Sequence, residues 1–214
     1  MIHTSQTAAL FDLDGVILDT ESQYTVFWTE IMKKYKGDAS IAQKIKGSTL
    51  EKIYETWFPL MTKEQQEITA ELDIFEHNMK MNYISGLPGF VQDLRTHGVK
   101  CAVVTSSNKA KMQTVLFQHP EFESLFDKIL TAEMFSRSKP APDPYLLGAA
   151  TFGIQPVNCM VFEDSFNGLK SGRAAGMHVI GLATTNSAEC IKDYADVVIP
   201  DFTGMTYEKI TGAL

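Results

Sequence analysis

From Gly86 to the end, the chain alternates short apolar runs with helical patterns, and this alternation leaves few folds open. Lys100-Cys101-Ala102-Val103-Val104, Lys128-Ile129-Leu130-Thr131, Asn158-Cys159-Met160-Val161-Phe162, Val179-Ile180-Gly181-Leu182 and Val197-Val198-Ile199 read as strands. Helical spacing fills the gaps between them. Phe90, Val91 and Leu94 share one face of a helix closed by Gly98, and Met112, Val115 and Leu116 mark a second. A third opens at Asp143-Pro144, runs through Ala150 and closes at Gly153. A fourth runs from Gly168 to Ala175 and closes at Gly176. Strand, helix and strand at such short spacing specify an α/β protein with a doubly wound parallel, Rossmann-like sheet.

One strand stands apart from this series. Ala8-Ala9-Leu10-Phe11-Asp12 reads as a buried strand, and residues 20–85 after it are helical throughout. Thr20 and Gln23 form a capping-box pattern ahead of Tyr24, Phe27, Trp28, Ile31 and Tyr35 at helical spacing. A short segment around Ile41 and Ile45 ends at Gly47. Ser48 and Glu51 open a helix with Ile53, Tyr54 and Trp57 inward, which stops at Pro59. Thr62 and Gln65 open a longer one with Ile68, Leu72, Phe75 and Met79 on one face. The chain therefore divides into an α/β core, 1–19 and 86–214, and a helical bundle, 20–85, inserted after the first strand. Gly and Pro in Ser85-Gly86-Leu87-Pro88-Gly89 suit a hinge at the exit.

The polar residues fall where these strands end. Asp12 and Asp14 follow the first apolar run, and Gly15 lets the chain turn sharply. Residues i and i+2 of a strand face the same side, so both carboxylates can reach one site at its carboxyl end. Two anions so close need a cation or a shared proton, which predicts a divalent metal. Thr105-Ser106-Ser107-Asn108 follows the second strand and offers hydroxyls and helix-start N–H groups to an anion. The same residues also serve as ordinary helix caps. Lys139 sits in Ser138-Lys139-Pro140-Ala141-Pro142-Asp143, where two prolines stiffen the loop and fix the ammonium's direction. Glu163-Asp164-Ser165 adds a second acid pair after the fourth strand. Acid pair, hydroxyls, lysine and acid pair at neighbouring strand ends assemble one active site.

Composition narrows the partners. A formal net charge of −7 argues against a broad nucleic-acid surface. No apolar run approaches a membrane span, and the N-terminal residues show no signal-peptide pattern. Cys101, Cys159 and Cys190 lack paired spacing, which fits reduced thiols in a cytoplasmic protein rather than a zinc site. A monomer acting on a small molecule is expected, without nucleic acid or membrane.

The four motifs, in this order, resemble the haloacid dehalogenase superfamily over nearly the whole chain. Phe11-Asp12-Leu13-Asp14-Gly15-Val16 resembles its first motif, Val104-Thr105-Ser106-Ser107 its second, Lys139-Pro140 its third and Phe162-Glu163-Asp164 its fourth. The helical insertion looks like the superfamily's C1 cap, which places the chain in subfamily I. Ser138 to Tyr145 and Glu163 to Gly168 are similar to the β-phosphoglucomutase-like and sugar-phosphatase branch. The resemblance implies that Asp12 attacks phosphorus and forms an aspartyl-phosphate. It implies that Asp14 protonates the leaving oxygen and then activates water. Mg²⁺ would be held by Asp12, the backbone carbonyl of Asp14 and Asp164, with Glu163 acting directly or through a metal-bound water. Thr105, Ser106, Ser107 and Lys139 would bind the substrate's phosphoryl group.

The chain departs from the mutases of that branch at two positions. Tyr24 stands where β-phosphoglucomutases commonly carry histidine, and Leu50 follows Lys46-Gly47-Ser48-Thr49 where they carry arginine. Losing a guanidinium removes a bidentate clamp for a second phosphate. Lys52 is close in sequence, but one turn of helix points it elsewhere. A phosphatase is expected in preference to a mutase, acting on a sugar phosphate or related metabolite. Tyr24, Trp28, Ser48 and Thr49 are expected to face the leaving group. A non-catalytic phosphate-binding module is the remoter alternative. A response-regulator receiver domain fits poorly, because it lacks a cap and carries its acceptor aspartate on a later strand.

Overall fold

The computed structural model describes residues 6–46 and 48–214. Its six strands are β1 (Ala8–Phe11), β2 (Lys100–Val104), β3 (Lys128–Leu130), β4 (Cys159–Glu163), β5 (His178–Leu182) and β6 (Val197–Ile199). They form one sheet in the order β3-β2-β1-β4-β5-β6, and every pairing is parallel. Parallel strands need crossovers, and helices supply them. In chain order the helices are α1 (Glu21–Lys36), α2 (Ile41–Lys44), α3 (Leu50–Trp57), α4 (Thr62–Asn78), α5 (Leu87–Thr96), α6 (Lys109–Gln118), α7 (Phe122–Leu125), α8 (Asp143–Phe152), α9 (Phe166–Ala174), α10 (Ala188–Ile191) and α11 (Tyr207–Ala213). Among the described residues, no helix is long and apolar enough to cross a membrane.

β1 is buried along its whole length, as a central parallel strand covered on both faces must be. Alternation sends Ala9 and Phe11 into one layer and Ala8 and Leu10 into the other. The first layer is aromatic: Phe11 stacks on Phe162 with ring centroids 4.5 Å apart, and Phe90 stacks on Phe202 at 5.3 Å. The second holds Tyr145 and Ala149 of α8 against the sheet. Gly148 allows that approach, since a Cβ there would lie 2.9 Å from Leu10 Cδ1. The strand order reverses at β1, with β2 and β3 on one side and β4 to β6 on the other. Open α/β sheets bind ligands in the crevice such a reversal creates.

Helices α1 to α4 enclose a separate apolar cluster that includes Trp28, Met32, Ile53, Phe58, Ile68 and Leu72. The two segments joining them to the sheet run side by side. Asp19 N–H donates to Asn82 O at 2.8 Å, and Ile84 N–H donates to Ile17 O at 2.9 Å. Gly86 has φ 81°, and a Cβ there would press into the Phe202 carbonyl, so glycine is required at this exit.

Several local expectations change. Thr20 precedes α1 but makes no side-chain cap bond, because its hydroxyl is committed to Asp14. Thr49, not Ser48, caps α3, accepting from Lys52 N–H at 3.2 Å. Thr62 is the first residue of α4 rather than its cap, and Met79 lies just past its end. The fourth core helix starts at Phe166, two residues before Gly168, because Ser165 caps it by accepting from Gly168 N–H at 3.1 Å. The expected stop at Gly47 lies outside the described residues.

Candidate active site

β1 ends at Phe11, so Asp12 and Asp14 belong to the turn beyond it, not to the strand. Asp12 N–H still donates to Phe162 O at 3.1 Å, so the ladder to β4 runs one bond past the strand before the chain turns. Gly15 has φ 77°, and its N–H donates to Leu18 O at 2.8 Å. A Cβ on Gly15 would overlap Asp164, so glycine brings the two acid pairs together.

Asp12 is 7% exposed and is bound by Lys139, whose Nζ lies 2.6 Å from Asp12 Oδ1, 2.6 Å from Glu163 Oε1 and 3.1 Å from Val104 O. All three ammonium hydrogens therefore have acceptors. Glu163 Oε1 also accepts from Tyr145 OH at 2.8 Å. Its Oε2 accepts from the N–H groups of Asp164 and Ser165 and from Ser165 Oγ. Gly168 makes room for this carboxylate, which a Cβ would overlap. Burial, with Glu163 and Asp14 adding to it, pushes Asp12 up to about 7 against the pull of Lys139. Burial opposes the Lys139 ammonium, but Asp12 and Glu163 outweigh it and hold its pKa above the ordinary lysine value.

Asp164 is fully buried, and its pKa is raised well above the usual carboxylate range by burial and by Glu21, Glu163 and Asp12. Among the described residues, Asp164 Oδ2 and Thr185 Oγ1 are the buried side-chain oxygens with no hydrogen-bond partner. A carboxylate oxygen in that state needs a cation or a proton. Asp12, Glu163 and Asp164 each offer an oxygen within 4.8 Å of the others. Hard oxygen donors on an orphaned carboxylate fit a divalent cation such as Mg²⁺.

The second motif supplies the helix cap read from it and places its hydroxyls at the cavity. Asn108 caps α6, accepting from Lys111 N–H at 2.9 Å. Thr105 Oγ1 accepts from Ser107 N–H at 2.9 Å, and Ser107 Oγ donates to Asp14 Oδ2 at 3.0 Å. Asp12, Asp14, Thr105, Ser106, Ser107 and Asp164 all line one cavity of about 280 Å³. Tyr24, Trp28, Ser48 and Thr49 line it from the helical side. Lys139 and Glu163 lie behind this lining, joined to it by the bond from Lys139 to Asp12. Lys52 faces away and pairs with Glu55 at 3.2 Å.

Three wall or support residues had no motif to announce them, and a fourth had only a motif string. Lys111 is paired with Asp14 although it is 2% exposed. Glu76 accepts from Tyr24 OH at 2.7 Å, and Glu21 reaches the cavity from the first turn of α1. Burial and the nearby Asp14 push Glu21 up to about 7. Tyr145 was visible only as part of the lysine string. Lys111 had one signal: it is a cation in the first turn of a helix, where the macrodipole disfavours it.

A parallel sheet that gathers two acid pairs, a buried lysine and a hydroxyl-rich helix start at its reversal point, under a layer of inserted helices, defines a class of capped α/β enzymes. Residues 9–182 match the family model described as haloacid dehalogenase-like hydrolase, and the chain belongs to that family. It is 32% identical over 183 residues to hexitol phosphatase A of Escherichia coli, covering 81% of each chain. It is 28% identical to the bifunctional riboflavin kinase/FMN phosphatase of Arabidopsis thaliana, spanning 95% of this chain but 55% of that one. Among solved structures, β-phosphoglucomutase from Clostridium difficile superposes with a TM-score of 0.79 at 22% identity, covering 97% of this chain and 96% of the other. At that identity the likeness is one of fold.

Proposed function

We propose that the protein is a Mg²⁺-dependent phosphatase that hydrolyses small phosphomonoesters through an aspartyl-phosphate at Asp12. One observation carries this: a buried carboxylate, pinned by Lys139 at 2.6 Å, lies in the lining of a cavity beside a second carboxylate and a hydroxyl-bearing helix start. The phosphatase names of the two relatives support a small phosphorylated metabolite as substrate. We read 1–19 and 86–214 as the catalytic core and 20–85 as its cap. We read it as a monomer of the cytoplasm, a compartment in which its three unpaired cysteines would stay reduced.

In this mechanism Asp12 attacks phosphorus, and the P–O bond to the alcohol breaks. Asp14 gives the departing oxygen its proton, then takes one from the water that cleaves the aspartyl-phosphate. Lys139 holds Asp12 in place and offsets charge on the transferring group. Thr105 and the Ser106 N–H receive its oxygens, and Ser107 steadies Asp14. Asp12, Asp164 and the carbonyl of Asp14 would hold Mg²⁺, which neutralises phosphoryl charge when bound. Both Glu163 oxygens are taken by donors, so we assign Glu163 to orienting Lys139 rather than to direct metal contact.

Phosphate release from a panel of phosphorylated metabolites tests the reading. Turnover should need Mg²⁺, stop in EDTA and fall below about one percent in Asp12→Asn, on the scale of losses known for catalytic groups. Full activity in EDTA or in Asp12→Asn would refute it.

A further inference from the structure

One buried charge beside the site, Lys111, has no part in the mechanism above. Its ammonium is almost fully buried in the first turn of α6, where both desolvation and the helix dipole oppose a cation. An apolar residue would fill that space at lower cost. The compensation is specific: Lys111 Nζ donates to Asp14 Oδ1, the same oxygen that Thr20 Oγ1 reaches, while Ser107 takes Oδ2. Asn108 fixes the backbone of Lys111 itself. From the cap, the Tyr24 ring covers the ammonium with its centroid 4.3 Å away, and Glu76 anchors the Tyr24 hydroxyl.

We infer that Lys111 is the positioning residue for Asp14: it holds the carboxylate in the rotamer that serves the leaving oxygen and the incoming water. This rests on the phosphatase reading above and deepens it. Thr20 and Ser107 are neutral donors on rotating hydroxyls, whereas Lys111 supplies a charge-assisted bond from a fixed helix. Tyr24 and Glu76 hold it there only while α1 and α4 sit over the site. Asp14 is thereby aligned when the cap is in place.

The test separates alignment from general damage. p-Nitrophenolate leaves without a proton, so attack by Asp12 on p-nitrophenyl phosphate needs Asp14 less than the later hydrolysis does. Lys111→Met should lower kcat on that substrate about a hundredfold, within the span of general acid–base effects, and lower KM with it, so that kcat/KM moves less than about threefold. Acid quench during turnover should show phosphoenzyme accumulating in the variant and not in the parent. Lys111→Arg, which keeps the charge, should recover part of the rate. If Lys111→Met does not fold, Lys111→Gln should show the same split. A variant with parental kcat and no added phosphoenzyme overturns the role of Lys111 alone. An equal loss in kcat and kcat/KM without phosphoenzyme also overturns it. A parent protein that neither releases phosphate nor forms phosphoenzyme overturns the phosphatase reading, and this role with it.

Discussion

Gly168 controls the site from behind. It carries no chemistry, yet its missing Cβ leaves the space that the Glu163 carboxylate fills. Glu163 in turn splits the Lys139 ammonium with Asp12 at equal distances of 2.6 Å. Gly168→Ala would push Glu163 off its donors and disturb Lys139 without touching substrate. Overpacking of this kind costs about 1–3 kcal/mol, which lowers the melting temperature by roughly 2–12 °C in a chain of this size. Thermal unfolding followed by circular dichroism reads that shift, and an unchanged midpoint would show that the carboxylate can move aside freely. Glycine at this position was legible as part of a motif string, but the reason for it was not. Only the packing of α9 on the end of β4 reveals which atoms need the space.

At the scale of elements, the loop between α3 and α4 stores strain. Leu60 is fully exposed at φ 62°, a conformation that crowds any Cβ against the following carbonyl. It packs against nothing that would repay the cost. Leu60→Gly should therefore raise stability by about 0.5–1 kcal/mol, after allowing for the greater chain entropy of glycine, or roughly 1–4 °C in melting temperature. A second element-level expectation concerns pH. His97 Nδ1 lies 2.9 Å from Asp93 O, and its Nε2 lies 2.9 Å from Glu208 on α11. The Asp93 carbonyl, with Glu208 and the Asp93 carboxylate, raises the His97 pKa above its ordinary value. A raised folded pKa means that the docking of α11 on α5 is favoured below the unfolded pKa of about 6.5 and weakens as pH rises through the folded value. An NMR titration should place His97 above 6.5, with Glu208→Gln returning it toward that value. No displacement would separate the contact from the proton. The strands and their helices were readable because parallel burial writes continuous apolar runs with glycine stops. One cap bond was misread because its hydroxyl had another partner: Thr20 stands at the start of α1 as its pattern indicates, but Asp14 takes its hydroxyl. That competition is tertiary, and no local pattern encodes it.

Over the whole molecule, the division of charge between the two faces of the cavity decides what the enzyme does with its phosphoryl group. On the proposed reading, the core face is where an aspartyl-phosphate forms at Asp12. The cap face presents Glu21, Glu51 and Glu76 around the aromatic Tyr24 and Trp28, with Lys46 as its lysine among the described lining residues. A mutase must hold a bisphosphate in two orientations, which needs a cation-rich cap. Here Lys52 is turned outward onto Glu55, and the tyrosine at position 24 is tied to a carboxylate. A second phosphate would meet carboxyl groups where it needs a guanidinium clamp, and any of them that is ionised opposes binding. The phosphoryl group on Asp12 should then pass to water. Incubation with β-glucose 1-phosphate, Mg²⁺ and a trace of glucose 1,6-bisphosphate should release inorganic phosphate or leave the sugar unchanged. Rapid build-up of glucose 6-phosphate ahead of phosphate release would mean that Lys46 alone replaces the arginine clamp, and the chain would then be a mutase.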